Sequence, residues 1–496
     1  MRTTKLLLAG ICTAAVGIGF STGAARADEM DDLKAQVKAL KAALETVQKR
    51  QEQLERKQAA QPAAAPAPVY PTKAAAAIPP AHPGCMPIPG TATCIQIGGY
   101  IKVNAATDVK GHMDGTASFV PDTALNGTQL ARRNPDFFMD AKESRFNITT
   151  FTPTGWGDLK TFLEVDFYGA GGNTGNPWWS SSYDPRLRQA YFSVGPWLFG
   201  QTWSTFMDLD TYPDTLDFGG PTGLAFNRQA VARYTTPLGP GNLSLAVENS
   251  FGDFEGSTNI SNYSGGFLPS LTVWDKAPDV AAKWSVDPSW GHFAVAAIGR
   301  WITADGPFTF GDSGPCTGGC SFTGSASTVG WGVLGGLGVK MFKSDLFTIQ
   351  AAGGDGIGRY LYGADDANEG AGIVGTPGNY SLRATPSFGG AVGYLHHWND
   401  WIRSTVAFSM AHYDHEDPLD PGNSYKNIDA VHANLIFDPP SIPGVEFGIE
   451  YIYSRIQMDG VLPVGAAFVG NGVAAVPGQG SSGTADRILA TAKASF

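Results

Sequence analysis

The chain is 496 residues long, 16% charged and 43% hydrophobic, with a formal net charge of −11. Charge is scarce beside the ~25% of ordinary soluble domains, glycine is abundant at 63 residues, and mean hydropathy is close to zero. The acidity argues against a nucleic-acid binder, and no run of ~20 apolar residues offers a membrane helix. A transmembrane β-barrel alternates apolar and polar residues and fits this balance.

The N-terminus has the layout of a secretory signal. Arg2 and Lys5 supply the positive region, Leu6 to Phe20 the apolar one, and Ala25-Arg26-Ala27 a small-x-small cleavage site. Cys12 is preceded by Ile11, where a lipoprotein signal needs a small residue, so lipidation is set aside. The expected signal peptide is 1–27, with three positive charges and no acids, which leaves −14 from Asp28 onward.

Residues 28–58 change character. Met30, Leu33, Val37, Leu40, Leu44, Val47 and Leu54 keep 3-4 spacing, with Gln51 at the skipped core position. Seven acids and seven bases fill the other positions. A helix this polar buries its stripe by pairing with copies of itself, so a periplasmic coiled coil that oligomerises the protein is expected. Residues 59–93 form an Ala/Pro-rich linker, semi-extended and without a core in its richest part, 59–84. The barrel is expected over 94–496.

Without Cys12, four cysteines remain: Cys85, Cys94, Cys316 and Cys320. Three pairings are open. The local ones, Cys85–Cys94 and Cys316–Cys320, are the economical choice for a secreted chain. A zinc site would need the two pairs together, and they stand more than 200 residues apart.

From Ile95 the chain repeats runs of about ten residues that alternate apolar and polar and then stop at Gly, Pro, Asn or Asp. Leu159, Thr161, Leu163, Val165 and Phe167 share one face, against Lys160, Glu164 and Asp166. Val445, Phe447, Ile449, Tyr451 and Tyr453 oppose Glu446, Gly448 and Glu450. Sixteen antiparallel strands are predicted, at 95–105, 144–152, 158–168, 186–194, 197–203, 228–236, 242–251, 279–286, 291–302, 328–342, 345–353, 384–396, 401–413, 427–437, 445–457 and 485–496. Long gaps follow odd strands, as at 106–143 and 204–227, and short ones follow even strands, as at Gly195-Pro196 and Lys343-Ser344. Sorting loops to one rim and turns to the other is the layout of an outer-membrane barrel, with both termini at the short-turn rim. Sixteen strands can enclose an aqueous channel. Phe496 ends an alternating strand, which resembles the assembly signal of outer-membrane proteins. Trp301, Trp401, Tyr191 and Tyr451, near strand ends, suit aromatic girdles.

Two family resemblances rest on specific residues. Cys85-Met86-Pro87-Ile88-Pro89-Gly90-Thr91-Ala92-Thr93-Cys94, followed by Ile97-Gly98-Gly99-Tyr100, resembles the start of alphaproteobacterial general porins. Glu143-Ser144-Arg145-Phe146, the block Gly195 to Phe206, and Tyr212 to Pro221 with Arg228-Gln229 and Arg233-Tyr234 resemble the DcaP-like trimeric porins. The resemblance implies a homotrimer with one pore per subunit and passage of small anions such as dicarboxylates. The loop layout itself gives the expected location, the outer membrane, with the acidic long loops near lipopolysaccharide.

In porins of this size the third long loop folds inward. Here it is 204–227 and carries Asp208, Asp210, Asp214 and Asp217. Arg145, Arg186, Arg188, Arg228, Arg233, Arg300 and Arg403 lie on strands or at their ends. An acidic loop facing a basic wall sets up a transverse field at a constriction. Each arginine either grips a permeant carboxylate or only braces the loop. The overall acidity does not decide selectivity, because much of it sits in outer segments such as Asp365-Asp366 and Asp414 to Asp420. The histidine clusters, His396-His397 and His412 with His415, come without a Gly-x-Ser-x-Gly or His-Glu-x-x-His motif. No enzyme, cofactor or metal is expected. A structural tether or adhesin with a plugged barrel is the alternative that the coil and linker support.

Overall fold

The computed structural model describes residues 82–169, 181, 183–252, 272–273, 275–305, 308–310, 320–322, 325–342, 344–363, 370–376, 379–414, 425–458 and 482–496, together with Lys38, Lys41, Glu45 and Lys49. The chain divides into a unit of Met1–Ala74 and a unit of Ala75–Phe496. In the first, the four described residues are helical and exposed. The expected signal peptide and the coil core of Leu33, Val37, Leu40, Leu44, Val47 and Leu54 lie outside the described residues.

The second unit is a closed antiparallel barrel of sixteen strands. They are β1 (Cys94–Lys110), β2 (Arg145–Thr154), β3 (Gly157–Gly169), β4 (Asp184–Val194), β5 (Trp197–Trp203), β6 (Arg228–Leu238), β7 (Gly241–Glu248) and β8 (Asp279–Val286). The remainder are β9 (Gly291–Asp305), β10 (Ser325–Met341), β11 (Asp345–Asp355), β12 (Pro386–Asn399), β13 (Ile402–Tyr413), β14 (Tyr425–Phe437), β15 (Val445–Met458) and β16 (Ser482–Ser495). Each pairs with its neighbour in sequence, and β16 returns to β1 from Tyr100↔Ser495 to Lys110↔Asp486. Closure leaves no unpaired edge, which is what lipid demands of a backbone that spans it. All sixteen predicted strands are present, and their ends shift by a few residues. The largest shift is in β1, which continues to Lys110. The segment 384–385, placed in the twelfth strand from sequence, instead belongs to a hairpin of Ala371–Thr376 and Asn379–Ala384 and its exit.

The period-two pattern sorts as it should. Phe447, Ile449 and Tyr451 of β15 are exposed on the outer face, while Glu450, Ile452 and Ser454 are buried inside. Trp301, Trp401 and Tyr451 are exposed large aromatics, in keeping with an outer girdle. Short turns join β2 to β3, β4 to β5 and β6 to β7, the last through Gly239 in a left-handed conformation. Both barrel termini stand at that rim, where the backbones of Phe496 and Gly99 exchange hydrogen bonds. Met86–Pro87, within the expected linker, pairs with Ile95 and Cys94. The Cys85–Cys94 disulfide is formed beside it. Cys316 lies outside the described residues, so its pairing with Cys320 stays an expectation.

The seam between β1 and β16 carries a fully buried ion pair. Arg487 Nε donates to Asp108 Oδ1 at 2.6 Å and Nη2 donates to the Met113 carbonyl at 2.6 Å. Asp108 Oδ2 accepts the Met113 N–H at 2.8 Å. The pair therefore fixes both the seam and the first long loop. Removing one partner strands a buried charge, which costs ~3–5 kcal/mol. Arg487→Met is expected to lower the urea midpoint of the micelle-folded barrel clearly more than a substitution of exposed Lys110 does, as read by tryptophan fluorescence.

Candidate pore constriction

The third long loop, 204–227, crosses the lumen and is pinned at nearly every step. At its start, Ser204 Oγ donates to Glu248 Oε2 at 2.6 Å and the Thr205 N–H to Oε1 at 2.6 Å. Next, Lys283 Nζ donates to the Met207 carbonyl at 3.0 Å. Gln350 Nε2 donates to the Asp208 carbonyl at 2.7 Å and to Thr211 Oγ1 at 2.8 Å. The far end meets Glu450, whose carboxylate accepts the Leu216 N–H at 2.8 Å and the Asp217 N–H at 3.2 Å. Lys102 Nζ donates to the Leu216 carbonyl at 2.8 Å. On the return, Gly223 is left-handed, and a Cβ there would overlap the Met410 carbonyl. Only glycine lets the loop lie this close to β13.

The four loop aspartates do different things. Asp208 is fully buried beside His292. Asp210 is largely exposed. Asp214 accepts from Arg403 Nε at 2.7 Å. Asp217 accepts the Ser118 N–H at 2.8 Å and faces His432. Burial pushes the Asp217 carboxyl above the usual carboxylate range, opposed by His432. Burial likewise raises the Tyr212 hydroxyl far above its ordinary value, with Asp208 adding to the effect.

The seven candidate arginines separate by partner. Arg403 bonds to Asp214, Asp438 and Glu446. Arg233 donates to Thr205 Oγ1 at 2.8 Å and to the Trp203 carbonyl, at the root of the loop. Arg300 pairs with Asp279 at 3.2 Å and donates to the Gly356 and Phe251 carbonyls. Arg186 holds Asp166 through two bonds, at 3.0 and 2.7 Å. Arg188 bridges Glu164 at 2.8 Å and Asp166 at 2.7 Å.

Arg145 and Arg228 differ from these. Among the described residues neither has an ion pair or a side-chain hydrogen bond, and Arg145 Nε and Arg228 Nη1 are unpartnered. Each lies over aromatic faces, Arg145 over Tyr100 at 5.3 Å and Arg228 over Trp203 at 5.0 Å. Arg228 feels the charges of Arg145, Arg186, Arg188 and Asp166, so these groups form one electrostatic patch. Arg186 and Arg188 hold the carboxylates of Glu164 and Asp166 there, and Glu143 acts on Tyr100 together with Arg145, Arg188 and Glu164.

The opposite side of the lumen is packed with apolar side chains. Segment 356–363 folds inward and pairs with the returning loop, through Gly223 N–H to the Tyr362 carbonyl at 2.6 Å and Phe226 N–H to the Tyr360 carbonyl at 2.8 Å. The first long loop also turns inward, and Tyr425 donates to its Pro121 carbonyl at 2.9 Å. Phe206, Met207, Ile357, Tyr360, Leu361, Ile428 and Ile456 form one buried apolar cluster with strand residues of β8 to β15. This packing was not foreseen from the sequence, nor were the anchors Glu248, Gln350 and Glu450. The clue present in the sequence was apolar residues on the wet face, such as Ile452, Ile456 and Ile428.

Comparisons with known proteins bear on the fold. A family model described as DcaP outer membrane protein matches residues 81–282. The crystal structure of the outer membrane channel DcaP of Acinetobacter baumannii superposes with a TM-score of 0.62 at 19% identity, covering 83% of this chain and 99% of that one. OmpF of Salmonella typhi gives 0.46 at 10%, covering 83% and 100%, and the anion-selective porin from Comamonas acidovorans 0.45 at 10%, covering 82% and 100%. No curated protein sequence matches the chain.

The loop anchors are testable. Glu450→Gln keeps the shape and removes the charge that accepts two backbone N–H groups, and hydrogen bonds to charged groups are worth about 1.5–3 kcal/mol each. The variant is expected to show greater open-channel current noise in planar bilayers than the wild type, because the far end of the loop is held less tightly. The barrel has the fold of the DcaP outer membrane channel, and residues 81–282 match the family model of that name.

Proposed function

We propose that the chain is a trimeric outer-membrane porin that passes small hydrophilic solutes and ions and favours small anions such as dicarboxylates. One observation carries the selectivity: Arg145 and Arg228 stand without a carboxylate partner in a patch that they share with Arg186 and Arg188. Guanidinium groups stay charged and grip carboxylates bidentately. Aromatic faces behind both groups hold them without neutralising them. In this reading the polar route runs along the wall that carries these arginines.

The trimer is supported by the heptads at 28–58 and by the family resemblance. In this reading the short-turn rim faces the periplasm, the coil is periplasmic, and the long loops meet lipopolysaccharide. The tether or adhesin reading draws on the same apolar packing, which would plug the lumen if it extended to the arginine wall.

The anion reading is tested by reversal potentials in a salt gradient. The double variant Arg145→Ala, Arg228→Ala is expected to shift toward cations, by a factor of roughly ten in permeability ratio if the two charges contribute ~1.4 kcal/mol. Arg233→Ala, which removes a brace at the root of the loop, is expected to shift it much less. An unchanged potential in the double variant refutes the assignment. Crosslinking in detergent is expected to trap trimers of the full-length protein, and monomers alone would contradict the assembly.

A further inference from the structure

We propose that the short-turn rim carries a divalent transition-metal site, suited to zinc, formed by His292, Asp210 and Asp287 and oriented by Asp208. This inference is independent of the porin reading.

His292 is the second residue of β9. Its Nε2 lies 3.0 and 3.2 Å from the two oxygens of Asp208. Asp208 is fully buried and also accepts the Thr211 hydroxyl at 3.0 Å. A buried carboxylate on one ring nitrogen orients the ring, as it does for metal-ligating histidines, and an ion bound at the other nitrogen would displace the proton shared there with Asp287. That other nitrogen, Nδ1, faces Asp287 Oδ1 at 2.6 Å and Asp210 Oδ2 at 3.9 Å. Both carboxylates are more than two-thirds exposed. They open, with His292, into a cavity of about 330 Å³ that Ser289 and Lys340 also line. The donor atoms of Asp208, Asp210 and His292 lie within 4.8 Å of one another.

The two carboxylate distances to His292 Nδ1, 2.6 and 3.9 Å, bracket the spacing of ligands on one ion. With metal–donor bonds of ~2.0–2.2 Å, tetrahedral neighbours stand roughly 3.4 Å apart. The Asp287 contact would open slightly and the Asp210 contact would close. One imidazole and two carboxylates favour a borderline ion over calcium or magnesium, which take oxygen alone. The cavity leaves room for water at the remaining position. Asp210 belongs to the constriction loop and Asp287 to the turn between β8 and β9, so an ion here clips the loop to the rim. Lys283 and Lys340 are the nearby cations that the ion would have to tolerate.

The test uses the full-length protein, folded in detergent and freed of metal with a chelator. Zinc is titrated against a competing chromophoric chelator. One tight equivalent per chain is expected, weakened roughly 10–100-fold by Asp287→Asn or His292→Gln, and also by Asp208→Asn, which leaves every direct ligand in place. Asp287→Asn sits on an exposed turn, so it reads the site even if a His292 variant folds poorly. Cobalt(II) is expected to give visible absorption bands that Asp287→Asn removes. His396→Gln, which removes the imidazole paired with Asp345 at 2.8 Å, is expected to leave the affinity unchanged. Zinc binding that is absent, or equal in wild type and Asp287→Asn, overturns the site; His292 is then a protonated bridge between Asp208 and Asp287.

Discussion

A strand surrounded by hydrocarbon must have both edges paired, and closure of β16 onto β1 is how this chain meets that demand. The rest follows from it. Sixteen strands fix a circumference too wide for side chains alone to fill. The space inside must then hold water or be packed by the chain itself. In this protein three inward segments pack against one side, and a charged wall stands on the other. The seam is also where the buried Arg487–Asp108 pair sits, so the place where the sheet closes on itself is tied to the first inward loop.

Charge inside the barrel is mostly spent on architecture. A buried ion needs a partner and further hydrogen bonds to offset its desolvation. Arg300, Arg403 and Arg487 obey this rule, each meeting a carboxylate, as does Glu450, which gathers two backbone N–H groups. Arg186 and Arg188 obey it as well, sharing Asp166 between them. Arg145 and Arg228 do not. A partly buried guanidinium without a counter-ion is tolerable only where water or a passing anion can solvate it. Their lack of partners is therefore the feature that points from fold to transport.

Much of this was legible in the sequence because strand periodicity and loop length are local properties. Period two in β3 and β15, glycine at the turns and the alternation of long and short gaps located every strand and both rims. Contacts between distant segments were not legible. That Arg403 meets Asp214, Asp438 and Glu446, residues on three different elements, depends on a loop crossing the lumen. The pattern of Ile452 and Ile456 on a nominally wet face could have warned that part of the lumen is packed with apolar side chains, but alternation alone does not say what covers it. The same limit applies to His292. It is a lone histidine in sequence, and only the fold brings Asp208, Asp210 and Asp287 around it.

The central claim is that the lumen stays open along the arginine wall and favours anions. The most direct measurement is the current through the wild-type protein in a planar bilayer under a salt gradient. The account predicts a steady open conductance with a reversal potential on the anion side of zero. No conductance would mean that the inward loops plug the barrel, and a cation-side potential would mean that the arginines do not face the permeant.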